Sequence, residues 1–492
     1  MDTNGAARSR PVAQVIGLWF GPAAAIGLQL MAVPQGLDGA AWLTVSMVVL
    51  MASWWVTEAV PIPVTSLLPL VILPVGGVMP IHEAAIPYSS PTVLLLMGGF
   101  IIATSVERWH LHARIALNIV NRAGNHPAAI VGGFIAAAAL LSMWISNTAT
   151  TIMLAPIAVS VAYAIVGPGA RGAPFTVAIL LGLAYGASIG GIATPVGTPT
   201  NLIVIGYLEN EAGVFISFAE WMKLGIPVVL VMLPAAWLTV TRFAIRVRAT
   251  GGTEGHSVIQ SELEKLGRIT TPERRVLITF LFIALAWILR EPLNGLSIFG
   301  RQPFAGITDH VIAIAGAIIL FLIPAGSRID RNARLLDWET AVKIPWGVML
   351  LFGGGLSMAS AITKTGLAGW LGEQLVILTT MPLVVLILGL VTFVIFATEL
   401  ASNVATTSAL LPVIGALAVA GDTDPLLLSV PVAMAASCAF MLPIATGPNA
   451  IAFATGEVTI PRMARVGLVL NLLGIVLITA VVYGLVQIVL PT

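Results

Sequence analysis

The runs SNTATTIMLAP (residues 146–156) and SNVATTSALLP (residues 402–412) align without gaps at an offset of 256 residues, and 7 of 11 positions are identical. Nearby, PVGTPTN (195–201) corresponds to PIATGPN (443–449) at an offset of 248, keeping the first Pro, the Thr and the final Asn. LLLMGGF ending at Phe100 pairs more weakly with LLFGGG ending at Gly355. The chain is therefore two related halves.

What surrounds these motifs decides the class. Of 492 residues, 58% are hydrophobic and 9% charged, whereas a soluble domain carries about 25% charged residues. Such a chain cannot cover a water-facing surface. Its mean hydropathy of +1.00 points to an all-α polytopic membrane protein rather than a barrel, whose alternating strands average far less apolar. Soluble enzymes, nucleic-acid binders and disordered proteins are excluded as descriptions of the whole chain. A net charge of +1 gives no global field to attract nucleic acid. The one cysteine, Cys438, lies in an apolar run and reads as buried filler.

Spanning a bilayer takes about 20 mainly apolar residues. Stretches that meet or approach this begin near residues 12, 39, 61, 91, 127, 149, 173, 219, 273, 308, 345, 383, 404, 428 and 464. The first, about 12–33, reads as a membrane helix and not a cleaved signal, for want of a small-x-small site. The stretches flanking Ser146 and Ser402 form two apolar legs joined by a polar tip. Those containing Gly197 and Gly447 are interrupted by Thr, Pro, Gly and Asn. If each pair of legs enters and leaves on one side and each interrupted stretch crosses once, 19 of the 23 Lys and Arg fall on the N-terminal side. Only Lys223, Arg290, Arg301 and Lys364 fall opposite. Basic residues gather in cytoplasmic loops, so the N-terminus is expected in the cytoplasm, of a cell inner (plasma) membrane. Two full crossings give the same parity as a hairpin, so sidedness leaves the depth of the tips open.

An odd number of crossings per half sets the repeats in opposite orientations, the arrangement that puts substrate and coupling ions near the midplane where helices are discontinuous. Non-helical backbone at that depth survives only inside protein or beside a water-filled cavity. The legs beginning at Ala149 or Ala405 are expected to present free N–H groups and a positive dipole end to the tips. The carbonyls left over at Gly197 and Ala445 suit a small hard cation such as Na⁺. No Lys or Arg lies between Arg122 and Arg171, between Arg171 and Lys223, or between Lys364 and Arg462. An anion at the tips therefore calls for a co-bound cation, and cation-coupled anion transport follows. A lone Ser-Asn-Thr is usually only a helix cap; its gapless recurrence in a second tip is what marks a ligand site. Glu399 is open between pathway and structural roles. Glu58 reads as structural, Trp54 and Trp55 as interfacial anchors. His110 and His112 belong to an amphipathic interfacial segment, about 107–124, rather than a metal pair. No enzyme constellation is apparent.

From about Trp42 onward, WWVTEAVPIPVTSLLPL, MWISNTATT, GGIATPVGTPTN, IPWGVMLLFGGG, TELASNVATTSALLP and FMLPIATGPNAIAF closely resemble the divalent anion/sodium symporter (DASS) family of di- and tricarboxylate and sulfate transporters. That resemblance implies a homodimer working by an elevator motion, with about 11 transmembrane helices and two re-entrant hairpins per protomer. It implies scaffold helices in 1–88 and in 219–324, the latter with a cytoplasmic loop at 246–275. The transport domain would combine 89–210 (tip 146–148, broken helix 195–201) and 345–460 (tip 402–404, broken helix 443–449), followed by a C-terminal helix at 464–492. Segments near 107–124 and 364–378 would be arms between the domains. Matched residue by residue, one sodium site falls on Ser142, Ser146, Asn147 and Gly197, and the other on Thr398, Ala401, Asn403 and Ala445. Substrate carboxylates fall to Ser146, Asn147 and Thr148 and to Ser402 and Asn403, with Thr198, Pro199, Thr446 and Gly447 close by. Three positions depart from the family pattern: Val404 replaces a Thr, Thr200 the second Pro of the first break, and Gly447 the first Pro of the second. The implied activity is sodium-coupled uptake of a dicarboxylate such as succinate, malate or fumarate; rivals are a cation-independent exchanger, a sulfate symporter and, more distantly, an anion channel.

Overall fold

A computed structural model describes residues 11–245, 247, 253–297, 301–327 and 330–489, and these are helical throughout their regular structure. The basic residues Arg8, Arg10, Arg246, Arg248 and Arg328 that entered the charge count lie outside the described residues. Ten described helices are long and apolar enough to cross a membrane, and four apolar helices are shorter.

The chain opens with α1 (Val12–Leu30) packed on α2 (Gly39–Thr57). The stretch near residue 61 is broken rather than continuous, into α3 (Ile62–Thr65) and α4 (Pro69–Val75), because Pro69 cannot donate the hydrogen bond that would join them. After α5 (Ile81–Ala85) comes α6 (Pro91–Arg108), then the amphipathic α7 (Leu111–Arg122). The first pair of legs is α8 (Pro127–Ser142) and α9 (Asn147–Val166); the first broken helix is α10 (Pro174–Gly190) and α11 (Pro199–Glu211). The middle holds α12 (Phe218–Leu238), α13 (Thr253–Leu266), α14 (Thr271–Ile288), α15 (Arg290–Asn294), α16 (Asp309–Leu322) and α17 (Trp338–Ala341). The second half repeats the first: α18 (Trp346–Lys364), α19 (Leu367–Leu375), legs α20 (Leu383–Leu400) and α21 (Asn403–Ala420), and broken helix α22 (Pro425–Ala436) and α23 (Gly447–Ala454). The long α24 (Ile460–Val489) closes the chain.

The repeat extends beyond its motifs. Helices α7, α8 and α9 start 256 residues before α19, α20 and α21. Even the residues preceding the amphipathic helices match, His110 and Gly366 both adopting the left-handed conformation (φ 55° and 71°). Between the two tips lie five helical segments: α10 with α11, α12, α14, α16 and α18. With each crossing once, the odd number puts the hairpins on opposite sides and inverts the repeats. Long-range polar contacts respect this parity. On the N-terminal side Arg108 pairs with Asp337, Arg114 with Glu273 and Tyr163 with Glu457; opposite, Lys364 pairs with Glu83 and Thr363 with Glu211. The carboxyl of Asp337 titrates below its ordinary range, because hydrogen bonds from Thr340 and the Arg108 charge outweigh the effect of its burial.

Two residues read as interfacial anchors have partners within the protein. Trp55 is buried, its indole donating to Ser66 Oγ (3.2 Å), and the half-buried Trp54 packs on Gly21 of α1. The WWVTE run lies where α2 packs against α1 and α3, so both rings have protein partners.

Candidate functional site: a cavity between two hairpin tips

Both tips face one cavity of about 570 Å³. Four helix N-termini converge there. Ser146, Asn147 and Thr148 come from the start of α9; Thr198 and Pro199 from α11; Ser402, Asn403 and Val404 from α21; Thr446, Gly447 and Pro448 from α23. Gly197 and Ala445 complete the break on each side. Every residue expected to touch the anion therefore lines the same space.

The legs start at Asn147 and Asn403, two residues earlier than the sequence suggests, because Ser146 and Ser402 take extended ψ (131° each) and act as N-caps in backbone only. Neither serine side chain caps its helix. The first intrahelical bonds are Thr150 N to Ser146 O and Thr406 N to Ser402 O (3.0 and 2.9 Å), so the amides before them stay available. A helix start with free amides and a positive dipole end is a ready anion site.

Behind the tips lies a set of buried oxygens. Ser142 Oγ, Asn147 Oδ1, Thr150 Oγ1, Ser188 Oγ and Asn201 Oδ1 in the first half, and Asn403 Oδ1, Ser408 Oγ and Asn449 Oδ1 in the second, find no hydrogen-bond donor among the described residues. Buried acceptors are normally satisfied, and an oxygen-only set is what a hard cation needs. In the first half the point beside Gly191 where a Cβ would stand is 2.8 Å from Asn147 Oδ1, 3.1 Å from Asn147 Nδ2 and 3.1 Å from Gly197 O, so the tip amide and the carbonyl of the break meet there. Ser142 and Thr398 do not line the cavity; both are fully buried behind the tips, and Thr398 Oγ1 donates to Val394 O and Ile395 O. Ala401 is extended (φ −137°, ψ 162°) where α20 ends.

The breaks are shaped by residues whose part the sequence reading did not assign. Asn201 Nδ2 donates to Gly191 O (2.9 Å) and Thr194 O (2.8 Å); Asn449 Nδ2 donates to Ala439 O (3.1 Å) and Leu442 O (3.0 Å). These are the final Asn of the two break motifs, so their recurrence was the available signal. Glu399 is structural: its carboxylate accepts from Met441 N (2.8 Å), Leu442 N (3.0 Å) and Asn471 Nδ2 (2.7 Å). The three departures also have places. Val404 and Gly447 line the cavity, and Thr200 Oγ1 reaches Ser437 Oγ (3.1 Å) on α22, a bond that a proline could not make.

One expectation needs correcting. The tips are free of basic residues, but the cavity is not: Lys343, from the loop between α17 and α18, and Glu107, at the end of α6, line it as well. Spacing along the chain reports only sequence neighbours, and this wall comes from elsewhere. Both residues belong to the N-terminal side, so the cavity opens that way.

The family model described as the sodium:sulfate symporter transmembrane region matches residues 13–490. A sodium-dependent dicarboxylate transporter, SdcS, of Staphylococcus saprophyticus is 40% identical over 486 residues, covering 97% of this chain and 92% of that protein. The protein of the same name from Staphylococcus aureus is 39% identical over 483 residues, with the same coverage. Among solved structures, the Neisseria gonorrhoeae efflux pump MtrF superposes with a TM-score of 0.60 at 11% identity, covering 95% of this chain and 98% of that one. The Alcanivorax borkumensis transporter YdaH gives 0.58 at 14% identity, covering 98% and 99%. At such identities they share the fold alone.

Proposed function

Because the chain belongs to the sodium:sulfate symporter family, the divalent anion/sodium symporters, we propose that it is a sodium-coupled symporter of C4 dicarboxylates such as succinate, malate or fumarate, and not an enzyme. The observation that carries this reading is the convergence of four helix N-termini on one cavity backed by buried, donorless oxygens. The amides and hydroxyls of Ser146, Asn147, Thr148, Ser402 and Asn403 would hold the carboxylates, with Thr198, Pro199, Val404, Thr446 and Gly447 shaping the walls. Sodium, a co-transported ion, would sit on Ser142, Ser146, Asn147 and Gly197 in one half and on Thr398, Ala401, Asn403 and Ala445 in the other. Dipoles, hydroxyls and the one exposed Lys343, offset by Glu107, are insufficient for a dianion in a low-dielectric cavity. Each Asn would serve both ion and anion, which gives coupling a direct route.

The same reading makes the protein a homodimer in a bacterial plasma membrane with a cytoplasmic N-terminus, so the cavity opens to the cytoplasm. Residues 89–210 and 345–460 would move as a transport domain against scaffold helices in 1–88 and 219–324. Both hairpins and both breaks belong to the moving part, which keeps the site intact as it travels.

Thermal stability of purified protein with succinate, citrate or sulfate, each with and without Na⁺, tests the proposal, since a ligand of the folded state raises its apparent stability. Succinate should stabilise only when Na⁺ is present. Equal stabilisation in choline buffer would remove sodium coupling, and stabilisation by sulfate alone would reassign the substrate.

A further inference from the structure

A second cavity, of about 320 Å³, lies between the first hairpin and α14 and is lined only by apolar side chains. Its α14 wall is one stripe of the helix, Leu277, Phe280, Leu281, Ala284, Leu285 and Ile288. At 1.5 Å per residue this stripe is about 16 Å long, close to the roughly 15 Å depth of one leaflet of a 30 Å hydrocarbon core. Leu281 and Leu285 are about half exposed, as is Leu140 on the opposite wall, so the crevice is open on its outer side at that level. The stripe continues toward the N-terminal side of the membrane into Arg274, three residues before Leu277. Arg274 is exposed and makes no ion pair among the described residues. Its neighbours are engaged: Glu273 with Arg114, and Arg275 with Pro324 O (2.5 Å).

We propose that this crevice is a binding site for one acyl chain of an anionic glycerophospholipid from the Arg274-side leaflet, with Arg274 holding the headgroup phosphate. The apolar stripe matches a chain of leaflet length, and the free guanidinium at its end matches the phosphate's charge and position. The site reaches the transport machinery through Trp144. That ring lines both this crevice and the central cavity, stacks on Phe218 (6.0 Å between centroids) and meets Phe280 edge-on (5.2 Å). A chain lying against Trp144 braces the first hairpin against α14.

Native mass spectrometry of the full-length protein, purified with added phosphatidylglycerol or phosphatidylcholine, tests this. The wild type should retain one phosphatidylglycerol per chain through detergent exchange, about fivefold better than phosphatidylcholine. Arg274→Ala should lose that preference. Leu285→Trp and Leu140→Trp, which fill the crevice from its two exposed rims, should lose the retained lipid while keeping anion-dependent thermal stabilisation; two walls are probed so that one misfolding variant leaves the other decisive. Retention unchanged in both Trp variants, or phosphatidylcholine held as tightly as phosphatidylglycerol by the wild type, would overturn the proposal.

Discussion

The two breaks have the same shape and different pins. In the first, Thr194 donates its hydroxyl to Met143 O, tying the unwound strand to the end of the hairpin through one neutral bond. In the second, the position matching Met143 is Glu399, the position matching Thr194 is Leu442, and the tie runs the other way: a buried carboxylate accepts from the backbone of the strand and from Asn471 on α24. The Asn cradles, Asn201 and Asn449, are alike in both. The common geometry is therefore the functional requirement, and the means of holding it is free to diverge. The divergence has a consequence, because only the second half carries a fixed carboxylate beside its break.

If the halves are equivalent in chemistry, the largest effects should be shared. Asn147→Ala and Asn403→Ala should each reduce sodium-dependent anion uptake about 100-fold or more, since losing even an outer-shell partner of a metal ligand costs 10–100-fold. Uptake by proteoliposomes under a Na⁺ gradient measures this. A variant that kept normal uptake would show that its half holds no ion.

The pins should separate the halves. Thr194→Val removes one neutral hydrogen bond, for about 1 kcal/mol, whereas Glu399→Ala leaves three donors without their acceptor, Met441 N, Leu442 N and the buried Asn471 Nδ2, at about 1 kcal/mol or more each. Thermal unfolding without ligand should show Glu399→Ala as clearly the less stable of the two. Equal losses would mean that solvent reaches the second break and that its carboxylate does little.

A smaller asymmetry lies within the cavity. Gly447 faces Thr148 so closely that an added Cβ would stand 2.2 Å from Thr148 Oγ1, while the matching pair in the other half is Pro199 and Val404. Gly447→Ala should therefore displace the Thr148 hydroxyl and weaken anion affinity by up to about tenfold, the worth of one hydrogen bond. In a Thr148→Ala background, which has no hydroxyl to displace, the same substitution should cost little. Affinities from the four proteins of this cycle, read by thermal shift in Na⁺, decide it; additive losses would mean that the two residues act independently.

What the sequence made legible follows the same division. The tips and break motifs are contiguous runs that recur at fixed offsets, so their convergence on one cavity could be anticipated. The role of Glu399 could not, because its side-chain partner Asn471 is 72 residues away on another helix. Trp55 reads as an anchor because an aromatic near a helix end looks the same whether it meets lipid headgroups or, as here, Ser66. Helix starts shifted by two residues at Asn147 and Asn403 because capping propensity cannot tell a serine that caps with its side chain from one that leaves the amides open.

Lys343 carries the smallest expected effect and bears on how the two tips share an anion. It lines the cavity from a loop that belongs to neither tip, and its side chain is exposed. A flexible ammonium at the mouth of an anion cavity steers encounter more than it fixes the bound ligand. Lys343→Ala should lower apparent anion affinity about fivefold at low ionic strength, from about 1 kcal/mol of attraction at an effective dielectric near that of water. The difference should shrink toward none at about 1 M salt, where the screening length falls to about 3 Å. Binding measured across a series of choline chloride concentrations at constant Na⁺ would show this. A loss that persisted at high salt would place the ammonium in direct contact with the bound anion, and the tips would then share the ligand with a third partner.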